Sequence, residues 1–165
     1  VLYAEGRLYT LYRDGGEEVI VALDAATGAT LWEHRDAPTF WPDMDRSFGL
    51  GPNSTPLLIT DRAGAAKLVG VGISGRMRAV DARSGKLSWQ RDLPREHGRH
   101  KREYEYGYSG NPVAYRGTIL ALVGGTDAAV VALDPSDGGV VWKSAPGDVS
   151  YAQPTIARLA GREHY

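Results

Sequence analysis

Ala22-Leu23-Asp24-Ala25-Ala26-Thr27-Gly28-Ala29-Thr30-Leu31-Trp32 recurs twice more along the chain without a gap. The second copy is Ala79-Val80-Asp81-Ala82-Arg83-Ser84-Gly85-Lys86-Leu87-Ser88-Trp89. The third is Ala132-Leu133-Asp134-Pro135-Ser136-Asp137-Gly138-Gly139-Val140-Val141-Trp142. Each reads Ala-x-Asp-x-x-x-Gly-x-x-x-Trp, and the Trp residues stand 57 and then 53 positions apart. Four residue types returning three times at fixed offsets mark an internal repeat, and a repeat governs the reading of the whole fold.

The motif has a physical logic. Apolar runs lead into each Asp: Val19 to Leu23, Ala79-Val80, and Ala128 to Leu133. Such runs suit strands buried on both faces. Asp24, Asp81 and Asp134 then turn the chain, each carboxylate capping backbone N–H groups two or three residues on. Gly28, Gly85 and Gly138 fall where a hairpin loop needs a left-handed residue. The returning strand carries Trp32, Trp89 or Trp142, a flat side chain able to fill the wedge between neighbouring sheets. The three indoles are expected at equivalent buried positions.

A looser repeat precedes the first. Ser54-Thr55-Pro56, Gly110-Asn111-Pro112 and Ala152-Gln153-Pro154 each place Pro near the start of a short strand, one of the few strand positions it tolerates. A hairpin follows, as at Tyr115-Arg116-Gly117-Thr118 or Ala4-Glu5-Gly6-Arg7. Four strands per unit result; in the third they are expected at 112–115, 118–123, 128–134 and 139–143. Four short antiparallel strands at a period of about 55 residues describe one propeller blade. The predicted fold is an all-β partial propeller. Its blades are placed at about 1–35, 53–91 and 110–144, with a fourth beginning at about 152–165.

Composition agrees. Twenty-one Gly, nine Pro and only two Phe beside nine Tyr and four Trp suit short strands joined by tight turns. A formal net charge of −1 supplies no field that would steer the chain to nucleic acid. No apolar run approaches the ~18 residues of a membrane-spanning helix. No basic segment followed by an apolar stretch opens these residues. With no cysteine, disulfides and thiolate metal sites are excluded.

The eleven-residue pattern resembles the tryptophan-docking motif of pyrroloquinoline-quinone (PQQ)-type propellers. That repeat is shared by quinoprotein alcohol dehydrogenases and by outer-membrane assembly lipoproteins of the BamB kind. The first copy, with Thr27-Gly28, matches at every fixed position; the others depart by Ser84 and Asp137 for the usual Thr. The resemblance implies a seven- or eight-bladed wheel, so the remaining blades of a longer chain, or other subunits, are expected partners. The segment alone is expected to self-associate through unsealed blade faces. The resemblance further implies export to the bacterial envelope or periplasm and leaves two functions open. One is a non-catalytic binding or scaffolding propeller with a protein partner. The alternative is a segment of a PQQ-dependent alcohol or sugar dehydrogenase, whose relatives hold the quinone and a calcium ion at the axis. No cofactor site is evident in these residues.

Polar residues leading into each first strand are the candidate ligand contacts: Asn53, Ser54 and Thr55; Tyr108, Ser109 and Asn111; Ser150, Tyr151 and Gln153. Equivalent positions of successive blades converge at a channel mouth, where propellers bind ligands. The competing reading is satisfaction of local backbone groups, and both stay open here. Asp43-Met44-Asp45 is half of a hard-cation donor set but reads better as a solvated loop over Trp41 and Phe48. His97 and His100 have a zinc-like spacing, yet Pro94 to Arg99 is poor helix material and no third ligand is evident. Arg99 to Tyr106 mixes cations with aromatics, as single-strand binders do, but Glu96, Glu103 and Glu105 cancel much of the charge.

Overall fold

The computed structural model describes residues 1–39, 51–98, 107–148 and 151–164. Three four-stranded antiparallel sheets follow one another along the chain, each a meander in sequence order. The first joins β1 (Leu2–Ala4), β2 (Arg7–Asp14), β3 (Glu17–Asp24) and β4 (Thr30–Asp36). The second joins β5 (Leu57–Thr60), β6 (Ala66–Val71), β7 (Arg76–Asp81) and β8 (Leu87–Asp92). The third joins β9 (Val113–Tyr115), β10 (Thr118–Leu122), β11 (Val130–Leu133) and β12 (Val140–Lys143). A two-stranded sheet of β13 (Ala157–Leu159) and β14 (Arg162–His164) ends the described chain. The four-stranded antiparallel sheets agree with the all-β propeller-type fold expected from the repeat, and the strands of the third are shorter than expected by a residue or two at several ends.

The one described helix, α1 (Leu93–Glu96), corrects an expectation, since Pro94 had argued against helix here. Proline in a first turn surrenders no hydrogen bond. The Asp92 side chain caps the turn by accepting from Arg95 N.

Each motif turn is built the same way. Gly28 N, Gly85 N and Gly138 N donate to the carbonyls of Asp24, Asp81 and Asp134 at 2.8, 2.8 and 2.9 Å. The three glycines have φ of 74°, 73° and 74°. Asp24 Oδ1 accepts from Ala26 N, Thr27 N and Thr27 Oγ1; Asp81 Oδ1 accepts from Ser84 N and Oγ; Asp134 Oδ1 accepts from Ser136 N. The Thr27 and Ser84 hydroxyls lower the pKa of Asp24 and Asp81, and the Ser136 amide does so for Asp134. At the third turn Asp137 replaces the hydroxyl residue, and its Oδ1 accepts from Gly139 N at 2.7 Å.

The alanine of the motif gains a reason. Ala22, Ala79 and Ala132 lie directly across the hairpin from Trp32, Trp89 and Trp142, one step before a register shift in each ladder. A small side chain opposite the indole lets the ring tilt out of its own sheet.

It tilts onto the next sheet. A Cβ at Gly85 would stand 2.5 Å from Trp32 Cε3, and one at Gly138 would stand 2.7 Å from Trp89 Cε3. Trp32 Nε1 donates to Ala82 O at 3.3 Å, and Trp89 Nε1 to Pro135 O at 2.8 Å. Both acceptors directly follow the repeat Asp of the following blade. The three environments are nevertheless unequal: Trp89 is buried, whereas Trp32 and Trp142 are half-buried. Among the three full blades, only the second has another on each side.

Two apolar cores fill the seams. Tyr9, Leu11, Ile20 and Ala22 of the first blade meet Leu68, Val80 and Ala82 of the second. The opposite face of the second blade supplies Val69, Val71, Met77 and Trp89, which meet Ile119, Ala121, Val131 and Leu133 of the third. Neighbouring residues of β6 and β7 thus enter different cores, which is the alternation of a strand buried on both faces.

Candidate functional site

The starts of β5 and β9, the β6–β7 and β10–β11 hairpins and the ends of β4, β8 and β12 share one end of the blades. The motif turns occupy the other. The residues expected at a channel mouth lie at the first end, and three of them join across blades. Thr55 N donates to Asn111 Oδ1 at 2.6 Å, and Asn111 Nδ2 donates to Gln153 Oε1 at 2.9 Å. All three immediately precede a proline, Pro56, Pro112 or Pro154. Proline holds the residue before it extended, and here the Thr55 backbone amide and the Asn111 and Gln153 side chains come within reach of one another's blades.

The others divide. Ser54 is buried, and its Oγ donates to Val71 O at 2.5 Å. Tyr108 is buried with its N donating to Ile73 O and its hydroxyl to Val123 O. A Cβ at Gly75 would stand 2.3 Å from the Tyr108 ring, so that turn is shaped around it. These two satisfy local backbone groups. Ser109 is half-buried, while Asn53 and Tyr151 are exposed. Ser150 lies outside the described residues, as do Asp43-Met44-Asp45, Trp41, Phe48 and the run Arg99 to Tyr106 with His100.

Two polar clusters at this end, each holding a buried ionisable side chain, pair residues that no sequence spacing had linked. His97, 4% exposed, places Nδ1 2.9 Å from Asp127 Oδ1, and Asp127 Oδ2 accepts from Lys143 Nζ at 2.8 Å. Lys143, then His97, hold the Asp127 carboxyl below its ordinary range. His97 O meanwhile accepts from Thr126 N, tying α1 to the β10–β11 hairpin. The partners lie 30 positions apart in different blades, so no local pattern announces them.

The second cluster sits between the first two blades. Glu18 is 1% exposed and Arg78 wholly buried. Glu18 Oε1 accepts from Ile73 N at 2.5 Å, and Arg78 Nη2 reaches Glu18 Oε2 at 3.5 Å. Asp36 Oδ2 takes Arg76 Nη1 at 2.7 Å and lies 4.0 Å from Arg78 Nη1. Burial pushes the Glu18 carboxyl up and the Arg78 guanidinium down, each opposed by its partner's charge. Burial, then the Arg78 charge, also lower the pKa of the nearby His34.

Among the described residues no group of three or more His, Cys, Asp or Glu is arranged to hold a metal ion. Also among them, no helix is long and apolar enough to cross a membrane.

Known proteins share this arrangement. A quinohemoprotein alcohol dehydrogenase, ADH-IIG of Pseudomonas putida, is 28% identical over 154 residues, covering 89% of this chain and 19% of that protein. The outer membrane protein assembly factor BamB of Xanthomonas campestris pv. campestris is 28% identical over 115 residues, covering 68% and 28%. The chain therefore spans less than a third of either relative. A europium-containing methanol dehydrogenase superposes with a TM-score of 0.58 at 17% identity, over 86% of this chain and 23% of that one, which is a likeness of fold. The family model described as outer membrane protein assembly factor BamB matches residues 1–121 and 73–159. With its turns, indoles and blades accounted for, the chain belongs to that BamB-type family of propeller repeats.

Proposed function

We propose that the chain is part of a non-catalytic binding and scaffolding propeller that engages a protein partner in the bacterial cell envelope. The observation that carries this reading is how the polar groups at the strand starts are spent. The Asn111 side chain bonds the Thr55 backbone amide on one side and the Gln153 side chain on the other, and Ser54 and Tyr108 bond carbonyls. Side chains engaged in this way build a stiff end face and not a set of groups converging on a reacting atom. Asn53 and Tyr151 stand exposed beside that face. A relative is named as an outer membrane protein assembly factor, and a protein partner for this surface fits that name. Envelope placement is supported by that relative's name alone.

The dehydrogenase reading is favoured by the match over 89% of this chain. Its cofactor would be PQQ with calcium. The described residues do not fit that group. The carboxylates buried or drawn into clusters at this end, Glu18, Asp36 and Asp127, are each engaged by Arg, Lys, His or a backbone amide. Hard cations need several oxygens free to converge.

Two measurements together separate the readings. A photo-crosslinker is placed at Asn53 or Tyr151, and at Thr27 in the opposite turn, within envelope preparations. PQQ and calcium are titrated in parallel while absorption is followed. The binding reading expects a discrete protein adduct from Asn53 and Tyr151, none from Thr27, and no saturable spectral change. A saturable calcium-dependent quinone spectrum without an adduct would overturn it.

A further inference from the structure

Among the described residues, the buried Glu18–Arg78 pair between the first two blades has no counterpart at the next seam. Counted from the repeat aspartate, Glu18 stands six residues before Asp24, and Arg78 three before Asp81. The corresponding pair at the seam of the second and third blades is Gly75 and Val131. There the Tyr108 ring packs over Gly75, and Val131 belongs to the apolar core. The hairpin amides differ too. Ile73 N is taken by the Glu18 carboxylate, whereas Thr126 N is taken by the backbone carbonyl of His97.

The second blade is shaped to receive this one side chain. A Cβ on Gly72 would stand 2.0 Å from Glu18 Oε2, so only glycine leaves room for the carboxylate. Ile73 N–H and Arg78 supply the hydrogen bond and the charge. Arg76 and Asp36 flank the pair, and His34 on β4 faces Arg78. The arrangement is costly: Arg78 Nε has no hydrogen-bond partner, and the two charged groups touch at only 3.5 Å. Buried ion pairs of this quality are commonly replaceable by apolar side chains without loss of stability. What they provide is discrimination, because a wrong neighbour leaves a charge buried and unpaired.

We infer that the Glu18–Arg78 pair is a key that selects which blade packs against the first, so that blade order is written in buried charge as well as in chain connectivity. Set against the third blade, Glu18 would meet Val131 and lose its countercharge. An indole docks on the next motif turn at both seams, and the apolar residues packed there carry no charge that a wrong neighbour would strand.

The test is a double-mutant cycle on the full chain with Glu18→Leu, Arg78→Leu and the double variant, read by denaturant midpoint and by amide NMR. Each single substitution strands one buried charge and is expected to lower the midpoint markedly. The double is expected to recover most of that loss while showing more than one set of resonances for β3 and β7. Recovery with a single set would mean that the pair selects nothing. A double variant whose loss equals the sum of the singles, or one that does not fold, would mean that the pair supports stability outright. Any of these three results overturns the proposal.

Discussion

Gly85→Val is expected to destabilise the chain by about 2–5 kcal/mol. A β-branched residue at φ +73° bears a left-handed penalty of ~1–2 kcal/mol. Its side chain must also enter space held by the Trp32 ring, 2.5 Å from the added Cβ, and overpacking of this kind costs ~1–3 kcal/mol. Gly28 separates the two contributions. It has the same conformation, φ +74°, but no described atom within 4 Å of an added Cβ. Gly28→Val should therefore cost only the backbone part, ~1–2 kcal/mol. Denaturant titration of both variants reads the difference directly. Equal losses would show that the indole does not press on the Gly85 turn.

Trp89→Ala is expected to cost ~3–5 kcal/mol, the range for truncating a buried large aromatic. Three features put it at the upper side of the indoles. It is 7% exposed, it donates to Pro135 O at 2.8 Å, and its ring covers Gly138 on the third blade. Removing it opens a void in the larger core and leaves the Pro135 carbonyl without its donor. Trp32→Ala should cost less, because that ring is half-buried and its hydrogen bond is longer, at 3.3 Å. The ordering is checked by unfolding midpoints of the two variants in one buffer. A neutral Trp89→Ala would remove the indole from any role in joining blades.

The fold could be read from the sequence because its determinants are local. The repeat Asp, Gly and Trp lie within one hairpin, so the turn conformation, the shift in the ladder and the direction of the indole follow from eleven residues. The motif also marks its own partner, since the surface receiving Trp32 and Trp89 is the next copy of the same turn. The candidate site was legible only in outline. The residues before Pro56, Pro112 and Pro154 stand out as equivalent, but that Thr55, Asn111 and Gln153 bond one another depends on the distance between blades. Glu18 was invisible for a different reason. Glu17-Glu18 at a strand start reads as solvated, and Glu17 is indeed exposed. Its neighbour is buried only because Gly72, Ile73 and Arg78 of another blade, more than fifty residues on, close over it. The pairing of His97 escaped likewise, since Asp127 comes to it from the third blade. Trp equivalence was overstated because sequence position sets where a ring points, while burial depends on what stands on either side.

Consecutive blades stack in chain order, with Trp32 and Trp89 each resting on the motif turn of the blade that follows. Nuclear Overhauser contacts of the indole rings measure this most directly. The account predicts contacts from Trp32 to the Gly85 α-protons and from Trp89 to those of Gly138, with the Trp89 Nε1 proton slow to exchange. Indole contacts confined to the blade that carries each Trp, or Trp89 ring contacts to Gly28, would contradict it.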